Sequence, residues 1–125
     1  MADCAPRFIA TPLDSGGIFF YVFANVSFVT LSWDYNPDGE TVKYVELYTY
    51  HDLLVARKPP NQPLQLFDNS SYGGRVTFSG RATFTISNIT KKDNYQYFRC
   101  QVSFYPRFYH PRPIRSFLYL VLVGK

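Results

Sequence analysis

Apolar and polar residues alternate along most of this chain in short runs, and turn-forming residues separate the runs. In the run 82–87, for example, Ala, Phe and Ile alternate with Thr and Ser. When the pattern repeats every two residues, every second side chain lies on one face of an extended strand. The clearest turns are NPDG at 36–39, KPPNQP at 58–63 and FSGRA at 78–82. The pattern predicts strands over residues 7–10, 18–23, 26–35, 42–50, 53–57, 64–67, 75–78, 82–89, 95–104 and 116–123.

Nine or ten short strands at this spacing predict an all-β fold built as a two-sheet sandwich. A single sheet would leave one apolar face in water, whereas two sheets bury their apolar faces against each other. No run of helical period is long enough to predict a helix, and no linker or internal repeat divides the chain. We therefore expect residues 1–125 to form a single domain, a size at which one core suffices.

The composition supports strands and argues against a nucleic-acid partner. Aromatic residues make up 19% of the chain, with 11 Tyr and 12 Phe, and such side chains pack well on a pleated surface. The formal net charge is +4, but the basic residues are scattered, so we expect no nucleic-acid partner. The apolar run 117–123 is too short to cross a bilayer, which takes about 20 residues.

Three Asn-x-Ser/Thr sequons indicate an extracellular protein. They start at Asn25, Asn69 and Asn88, all in expected turns, where a glycan could be attached. The chain has two cysteines, an even number that fits an oxidising compartment.

One long segment carries a recognisable motif. RVTFSGRATFTISNITKKDNYQYFRCQV, residues 75–102, resembles strands D, E and F of an immunoglobulin V-set domain. In one alignment Phe98 takes the place of the family's tyrosine, two residues before Cys100, and Asp93 lies one residue early. In the other, Tyr97 keeps the tyrosine place and Cys100 comes one residue late. In the first alignment the tyrosine hydroxyl of the family's corner motif is lost, because Phe has none.

Two further stretches resemble V-set strands with their usual core residues replaced. VTLSWDY, residues 29–35, resembles strand B with Trp33 at the first core cysteine. VKYVELYTY, residues 42–50, resembles strand C with Leu47 at the core tryptophan. The expected core then contains Trp33, Leu47 and Phe98. The exchange of residues between the two strands roughly keeps the total side-chain volume of the core. A second alignment makes Trp33 the strand C tryptophan and leaves 42–50 without a place.

V-set domains that lack this cysteine and tryptophan are similar to the membrane-distal domains of invertebrate allorecognition receptors, as in colonial cnidarians. This resemblance implies a membrane-anchored cell-surface protein that binds copies of itself on neighbouring cells. It also implies a disulfide between Cys4 and Cys100; the alternative is a buried free Cys100. The V-set pattern further implies an ion pair between Arg75 and Asp93, the alternative being two unrelated surface charges.

The V-set resemblance implies a contact surface on the sheet of strands C, C', F and G. With Leu47 facing inward, the alternation predicts an outward row of residues from 44 to 50, joined by two residues of strand F. Between strands F and G, the loop 104–115 adds aromatics and arginines that could supply contact area. The tyrosines could instead be ordinary strand residues, and the loop could fold over its own sheet. The expected contact residues are Tyr44, Glu46, Tyr48, Tyr50, Arg99, Gln101, Arg107, Phe108 and Tyr109.

Nothing in the sequence predicts catalysis or a cofactor. His51 and His110 lie in no metal-ligand spacing and near no nucleophile motif. We therefore expect a non-enzymatic extracellular recognition domain, without cofactor or metal, that associates weakly with an identical domain on an opposing cell. A heterophilic immune or adhesion receptor of the same fold is the second hypothesis, and a secreted lectin-like module is the third.

Overall fold

The computed structural model describes residues 5–13, 17–67, 70–106 and 112–124. Within these residues, one turn of 3-10 helix at Lys91–Asp93 is the single helical element. The strands are β1 (Arg7–Ala10), β2 (Phe19–Phe23), β3 (Phe28–Asn36), β4 (Val42–Thr49), β5 (Leu53–Lys58), β6 (Gln65–Leu66), β7 (Val76–Ser79), β8 (Ala82–Ser87), β9 (Gln96–Phe104) and β10 (Ile114–Val123).

The strands form two sheets that pack as a sandwich. The first sheet has four strands in the order β1-β3-β8-β7, and the second has six in the order β2-β10-β9-β4-β5-β6. Neighbouring strands are antiparallel except β2 and β10, which are parallel. The chain crosses from the first sheet to the second between β1 and β2. The all-β, two-sheet fold predicted from the alternation is confirmed.

Alternation along the central strands builds the core. On β3, Val29, Leu31 and Trp33 are buried, and the residues between them face water. On β9 of the other sheet, Phe98 and Cys100 are fully buried. Each large apolar side chain taken out of water in this way contributes about 1.5–3 kcal/mol. The interior is therefore the main source of stability.

Trp33 lies at the centre of this core. Trp33 is 1% exposed. Its indole N–H donates a hydrogen bond of 3.0 Å to Ser116 Oγ, and this bond joins the two sheets. It lies on β3 in the four-stranded sheet, whereas Leu47 lies on β4 in the six-stranded sheet, directly opposite Cys100. This arrangement matches the alignment in which Trp33 occupies the strand B position and Leu47 the strand C position.

The thiol of Cys100 is buried between the sheets and has no disulfide partner among the described residues. Burial raises the pKa of this thiol, so it stays protonated at neutral pH. Cys4, its proposed partner, lies outside the described residues, and the Cys4–Cys100 bridge stays a prediction. The mass of the intact protein under non-reducing conditions tests it, because a bridge removes two hydrogens.

Asp93 anchors the turn between β8 and β9. Its carboxylate accepts hydrogen bonds from Tyr72 Oη at 2.7 Å, from Arg75 Nη2 at 3.2 Å and from the Thr90 backbone N–H at 2.9 Å. The structure thus brings Arg75 and Asp93 together as an ion pair. Burial acts to raise the pKa of Asp93, but the hydrogen bonds from Arg75, Thr90 and Tyr72 outweigh it and hold the pKa below its ordinary value.

Phe98 points into the core beside this anchor. Its ring packs edge-on against Tyr72, with centroids 5.1 Å apart. Tyr72 comes from the connection between β6 and β7, and its hydroxyl reaches the buried carboxylate of Asp93. A tyrosine from another loop therefore supplies a buried hydroxyl where Phe98 has none.

Three predicted strand ends differ from the structure for the same physical reason. Tyr50, Asn88 and Tyr95 have φ angles of 46°, 57° and 63°, so each lies outside the extended conformation and the strand ends or begins next to it. The remaining boundaries agree with the predicted ones to within two residues at either end.

Two of the three sequons lie in adjacent exposed turns. Asn25 and Asn88 are both exposed, and a hydrogen bond of 3.1 Å from the Ile89 N–H to the Ser27 carbonyl joins their turns. Asn69 lies outside the described residues. Glycosylation of all three stays a prediction.

Candidate recognition face

The outward side of the six-stranded sheet carries an aromatic row that spans β2, β10 and β9. Its ring centroids are 6.2 Å apart for Phe19 and Tyr21, 6.1 Å for Phe19 and Tyr119, and 5.7 Å for Tyr97 and Phe117. Tyr97 and Tyr119 close the row at 5.6 Å. We call these five residues, Phe19, Tyr21, Tyr97, Phe117 and Tyr119, the aromatic row.

The aromatic row lies partly open to water. Phe19, Tyr21 and Phe117 keep 42%, 62% and 43% of their surface exposed. Single exposed aromatics are common on proteins, but adjoining ones form an apolar patch of the kind found at interaction sites. Water at this patch would be released when a partner covers it.

A polar network adjoins the aromatic row on β4, β5 and β9. Glu46 is at its centre: its carboxylate accepts from Arg57 Nε at 2.7 Å and from Tyr48 Oη at 3.0 Å. The Arg57 guanidinium lies 4.3 Å from the centre of the Tyr44 ring, and that of Arg99 lies 4.3 Å from the centre of the Tyr48 ring. We call Tyr44, Glu46, Tyr48, Arg57 and Arg99 the polar network.

Arg99 links the polar network to the aromatic row. Its Nη1 donates to the His51 carbonyl and lies 3.3 Å from a carboxylate oxygen of Asp52 and 3.4 Å from Tyr97 Oη. Its Nε is buried and has no hydrogen-bond partner among the described residues. The His51 ring stacks on Tyr97 with centroids 4.5 Å apart. The guanidinium is therefore held in place while one donor stays unsatisfied.

The environment of Tyr48 keeps its hydroxyl neutral. Burial, and then the nearby carboxylate of Glu46, raise the pKa of Tyr48 to about 12. Both effects disfavour the phenolate, since charge is poorly solvated there and would lie beside another negative group. Tyr48 therefore remains a hydrogen-bond donor to Glu46 over the whole physiological pH range.

Several expected contact residues occupy other environments than the sequence suggested. Glu46 was expected on an exposed face, but it is only 1% exposed because Tyr48 and Arg57 cover it from neighbouring positions. Gln101 is also buried, and its side-chain oxygen accepts from Arg115 Nε at 2.9 Å. Tyr50 is exposed but lies in the turn after β4.

The remaining expected contact residues divide into two groups. Tyr44, Tyr48 and Arg99 do lie on the outward side of the sheet, in the polar network. Arg107, Phe108 and Tyr109 lie outside the described residues. Their part in any contact stays a prediction.

The aromatic row was not predicted from the sequence. A signal was present, because in FFYVF at 19–23 and FLYLVLV at 117–123 both alternating sets are apolar or aromatic. Phe20 and Val22 pack against the core, so Phe19 and Tyr21 must point outward. A strand that is apolar on both sides and lies in a two-layer fold has one apolar side facing water.

Three solved structures have the same architecture as this chain. The structure of murine CRIg superposes with a TM-score of 0.70 at 14% identity, over 94% of this chain and 98% of that chain. Domain 1 of VCBP3 from Branchiostoma floridae gives a TM-score of 0.62 at 12% identity, over 94% and 93%. The two tandem V-type regions of VCBP3, a v-region-containing chitin binding protein, give 0.68 at 16% identity. The fold is an immunoglobulin V-type fold.

The comparisons establish the V-type fold alone. The chain covers 47% of the tandem VCBP3 chain, about half its length, while 98% of this chain is matched. No protein-family model and no curated protein sequence matches the chain. The likeness to cnidarian allorecognition receptors remains a hypothesis from the sequence.

The described residues offer no metal site. Within them, no three His, Cys, Asp or Glu side chains lie close enough to hold an ion. None of the helical structure described in residues 5–124 is long and apolar enough to span a membrane. The outward face of the six-stranded sheet carries aromatic rings, guanidinium groups and one buried carboxylate.

Proposed function

We propose that this chain is a non-enzymatic extracellular recognition domain that binds protein through the outward face of its six-stranded sheet. The observation that carries the proposal is the exposed aromatic row lying next to Arg99 and Tyr48. Tyr and Arg dominate binding energy at interfaces because they desolvate a large area and still keep a polar end. The hydrogen bonds and ring contacts around Arg99 lower the entropy it loses on binding.

The partner we propose is an identical domain on an opposing cell, which is the function that the allorecognition resemblance implies. The face carries acidic and basic groups side by side, as in the Arg99–Asp52 pair at 3.3 Å, so two copies could place opposite charges against each other. The net charge of +4 repels two copies at long range, which favours a weak contact. Multivalent display on two cell surfaces would then supply the avidity.

The geometry of the aromatic row does not favour the glycan-binding alternative. One of the matched proteins, VCBP3, is described as chitin binding. A polysaccharide chain stacks on rings that share a plane. Four of the five ring pairs in the row are inclined by 46°, 43°, 69° and 89°, and Tyr97–Phe117, at 22°, is the one near-parallel pair. Tilted and edge-on rings instead interdigitate with other side chains, as in protein interfaces.

Bead clustering tests the proposed function. Beads coated with the wild-type domain should cluster, and Arg99→Glu or Phe117→Ser should reduce clustering at least about tenfold, since each removes an interface anchor. Phe28→Ser is the matched control, because Phe28 is 58% exposed but lies on β3 of the other sheet. Circular dichroism melts should first establish that all three variants are folded.

The outcomes separate the hypotheses. Homophilic recognition predicts that beads coated with one allelic form of the domain cluster together and exclude beads that carry another. Clustering only with a different protein from the same tissue would support a heterophilic receptor. Equal loss in the Phe28→Ser control, or full clustering by Arg99→Glu and Phe117→Ser, would refute this face as the contact surface.

A further inference from the structure

The six-stranded sheet ends in an unusually open edge strand. The described residues contain four edge strands, and β2, with five residues, is the longest of them. β1 has a bulge and begins with an arginine, and β6 has only two residues. β2 has no bulge in its register with β10. Edge strands are normally blunted by charge, bulges or shortness, because they can pair with another chain.

No strand among the described residues pairs with the outer edge of β2, which presents its backbone groups in a regular order. The Ile18 carbonyl accepts from Tyr119 N at 2.7 Å, and Ala24 N donates to the Val123 carbonyl at 2.9 Å. In a parallel pair, every second residue of a strand forms its backbone hydrogen bonds with the neighbouring strand. Between Ile18 and Ala24, Phe20 and Val22 therefore bond to β10. The N–H and C=O groups of Phe19, Tyr21 and Phe23 therefore point away from β10. The Phe23 carbonyl also accepts from Val26 N at 3.3 Å.

The strand is complementary to itself. Its sequence FFYVF reads as aromatic, apolar, aromatic, apolar, aromatic about Tyr21. In an antiparallel pair centred there, Tyr21 lies opposite the Tyr21 of a second copy, and Phe19 lies opposite Phe23. No charged residue occurs between Asp14 and Asp34, so this register brings no like charges together.

We propose that β2 pairs antiparallel with β2 of a second copy of this chain, centred on Tyr21, so that two six-stranded sheets join into one. The contact is isologous, with a twofold axis between the two Tyr21 residues and perpendicular to the joined sheet. Up to six backbone hydrogen bonds form, two between the Tyr21 residues and two for each Phe19–Phe23 pair. The two Tyr21 rings, each 62% exposed in the single chain, cover each other, and Phe23, 61% exposed, is covered by Phe19 of the second copy.

This pairing goes beyond the proposed function, because it needs neither Arg99 nor Tyr48. Residues directly opposite each other in an antiparallel pair point to the same side of the sheet. The two aromatic rows therefore lie on one continuous surface, and pairing doubles the width of the recognition face. The two domains run in opposite directions along their strands.

A charge-swap experiment in solution tests the pairing and its register. In sedimentation equilibrium of unglycosylated protein, Tyr21→Lys alone and Tyr21→Glu alone should each weaken the dimer at least about tenfold, because like charges meet at the axis. An equimolar mixture of the two variants should dimerise as well as the wild type. A single chain with both Phe19→Lys and Phe23→Glu should also dimerise, since each Lys lies opposite a Glu.

The controls decide between this contact and the recognition face. Phe28→Lys should dimerise like the wild type, because Phe28 lies on the four-stranded sheet. Arg99→Glu should keep this dimer while it loses bead clustering. A wild-type protein that stays monomeric at millimolar concentration would overturn the proposal, as would a mixture of the two Tyr21 variants no more associated than either alone.

Discussion

The buried carboxylate of Asp93 should be among the most costly polar side chains to remove from this domain. It is 5% exposed and accepts hydrogen bonds from Tyr72, Arg75 and the Thr90 backbone. Asp93→Ala leaves all three donors without this acceptor. Arg75 keeps bonds to three backbone carbonyls, but the Tyr72 hydroxyl loses its acceptor in a buried site.

The expected loss of stability in Asp93→Ala follows from the burial of the carboxylate. Breaking a buried ion pair by removing one partner costs about 3–5 kcal/mol. Because Arg75 keeps its carbonyl partners, we expect the lower end, about 3 kcal/mol. Domains of this kind are stable by about 5–15 kcal/mol in total, so the loss is a large fraction. With a urea m-value of about 1–3 kcal/mol/M, the unfolding midpoint should fall by about 1–3 M.

Urea unfolding followed by circular dichroism measures this change, with Asp34→Ala as the matched control. Asp34 also pairs with an arginine, Arg81, at 3.3 Å, but the two side chains are 42% and 53% exposed. An exposed pair contributes about 0–1 kcal/mol, so the control midpoint should hardly move. If Asp93→Ala cost no more than Asp34→Ala, burial would not set the strength of these pairs and the reasoning would be refuted.

The same carboxylate gives a pH dependence with a defined sign. The pKa of Asp93 is lowered in the folded state, despite the opposing effect of burial, by its bonds to Arg75, Thr90 and Tyr72. Its contribution is therefore complete above the unfolded pKa, about 3.9, and is lost as pH falls through the lower folded value. Between pH 7 and pH 2, wild-type stability should fall by more than that of Asp93→Asn. If the free energies of unfolding of the wild type and Asp93→Asn fell by the same amount, Asp93 would not be the source of this pH dependence.

Three further predictions concern other buried groups. Trp33→Phe should destabilise the domain by about 1–3 kcal/mol in urea unfolding, because it leaves a cavity and removes the hydrogen bond to Ser116. Ser116→Ala should cost about 1–3 kcal/mol as well, because it leaves the buried indole N–H without its acceptor. In a ¹³C NMR titration, Tyr48 should ionise near pH 12, and Glu46→Gln should lower that pKa by removing the adjacent negative charge; an unchanged value would exclude Glu46 as a cause. In a Cys4→Ala variant, iodoacetamide should label Cys100 only after unfolding, because the thiol is buried and its pKa is raised. Fast labelling of the folded variant would contradict this.

Much of the fold could be predicted from single-residue periodicity. In β8, ATFTIS, the buried positions are Ala82, Phe84 and Ile86, the same set that the alternation marks. The period of two fixes which side of a strand each residue occupies, whatever its neighbours are. The positive φ angles at Tyr50 and Tyr95 could not be predicted in the same way, because no glycine marks either position.

The candidate site was less predictable because its residues come from strands far apart in sequence. Phe19 and Tyr119 are 100 positions apart, yet their rings lie 6.1 Å apart, because β2 pairs in parallel with β10. Glu46 looked exposed because it alternates with Leu47, but alternation gives only the side of the sheet. Long side chains from the same face, Tyr48 and Arg57, cover it.

The sequence by itself determined the strands, their two-layer packing and the inward set that includes Trp33, because these depend on local alternation and on the need to bury one apolar side. Only the tertiary structure decided that the outward rings of three strands form one aromatic row, that Tyr72 reaches Asp93, and that β2 is an edge strand of the sheet described here. These features depend on which strands become neighbours, and strand order is set by the packing of the whole chain.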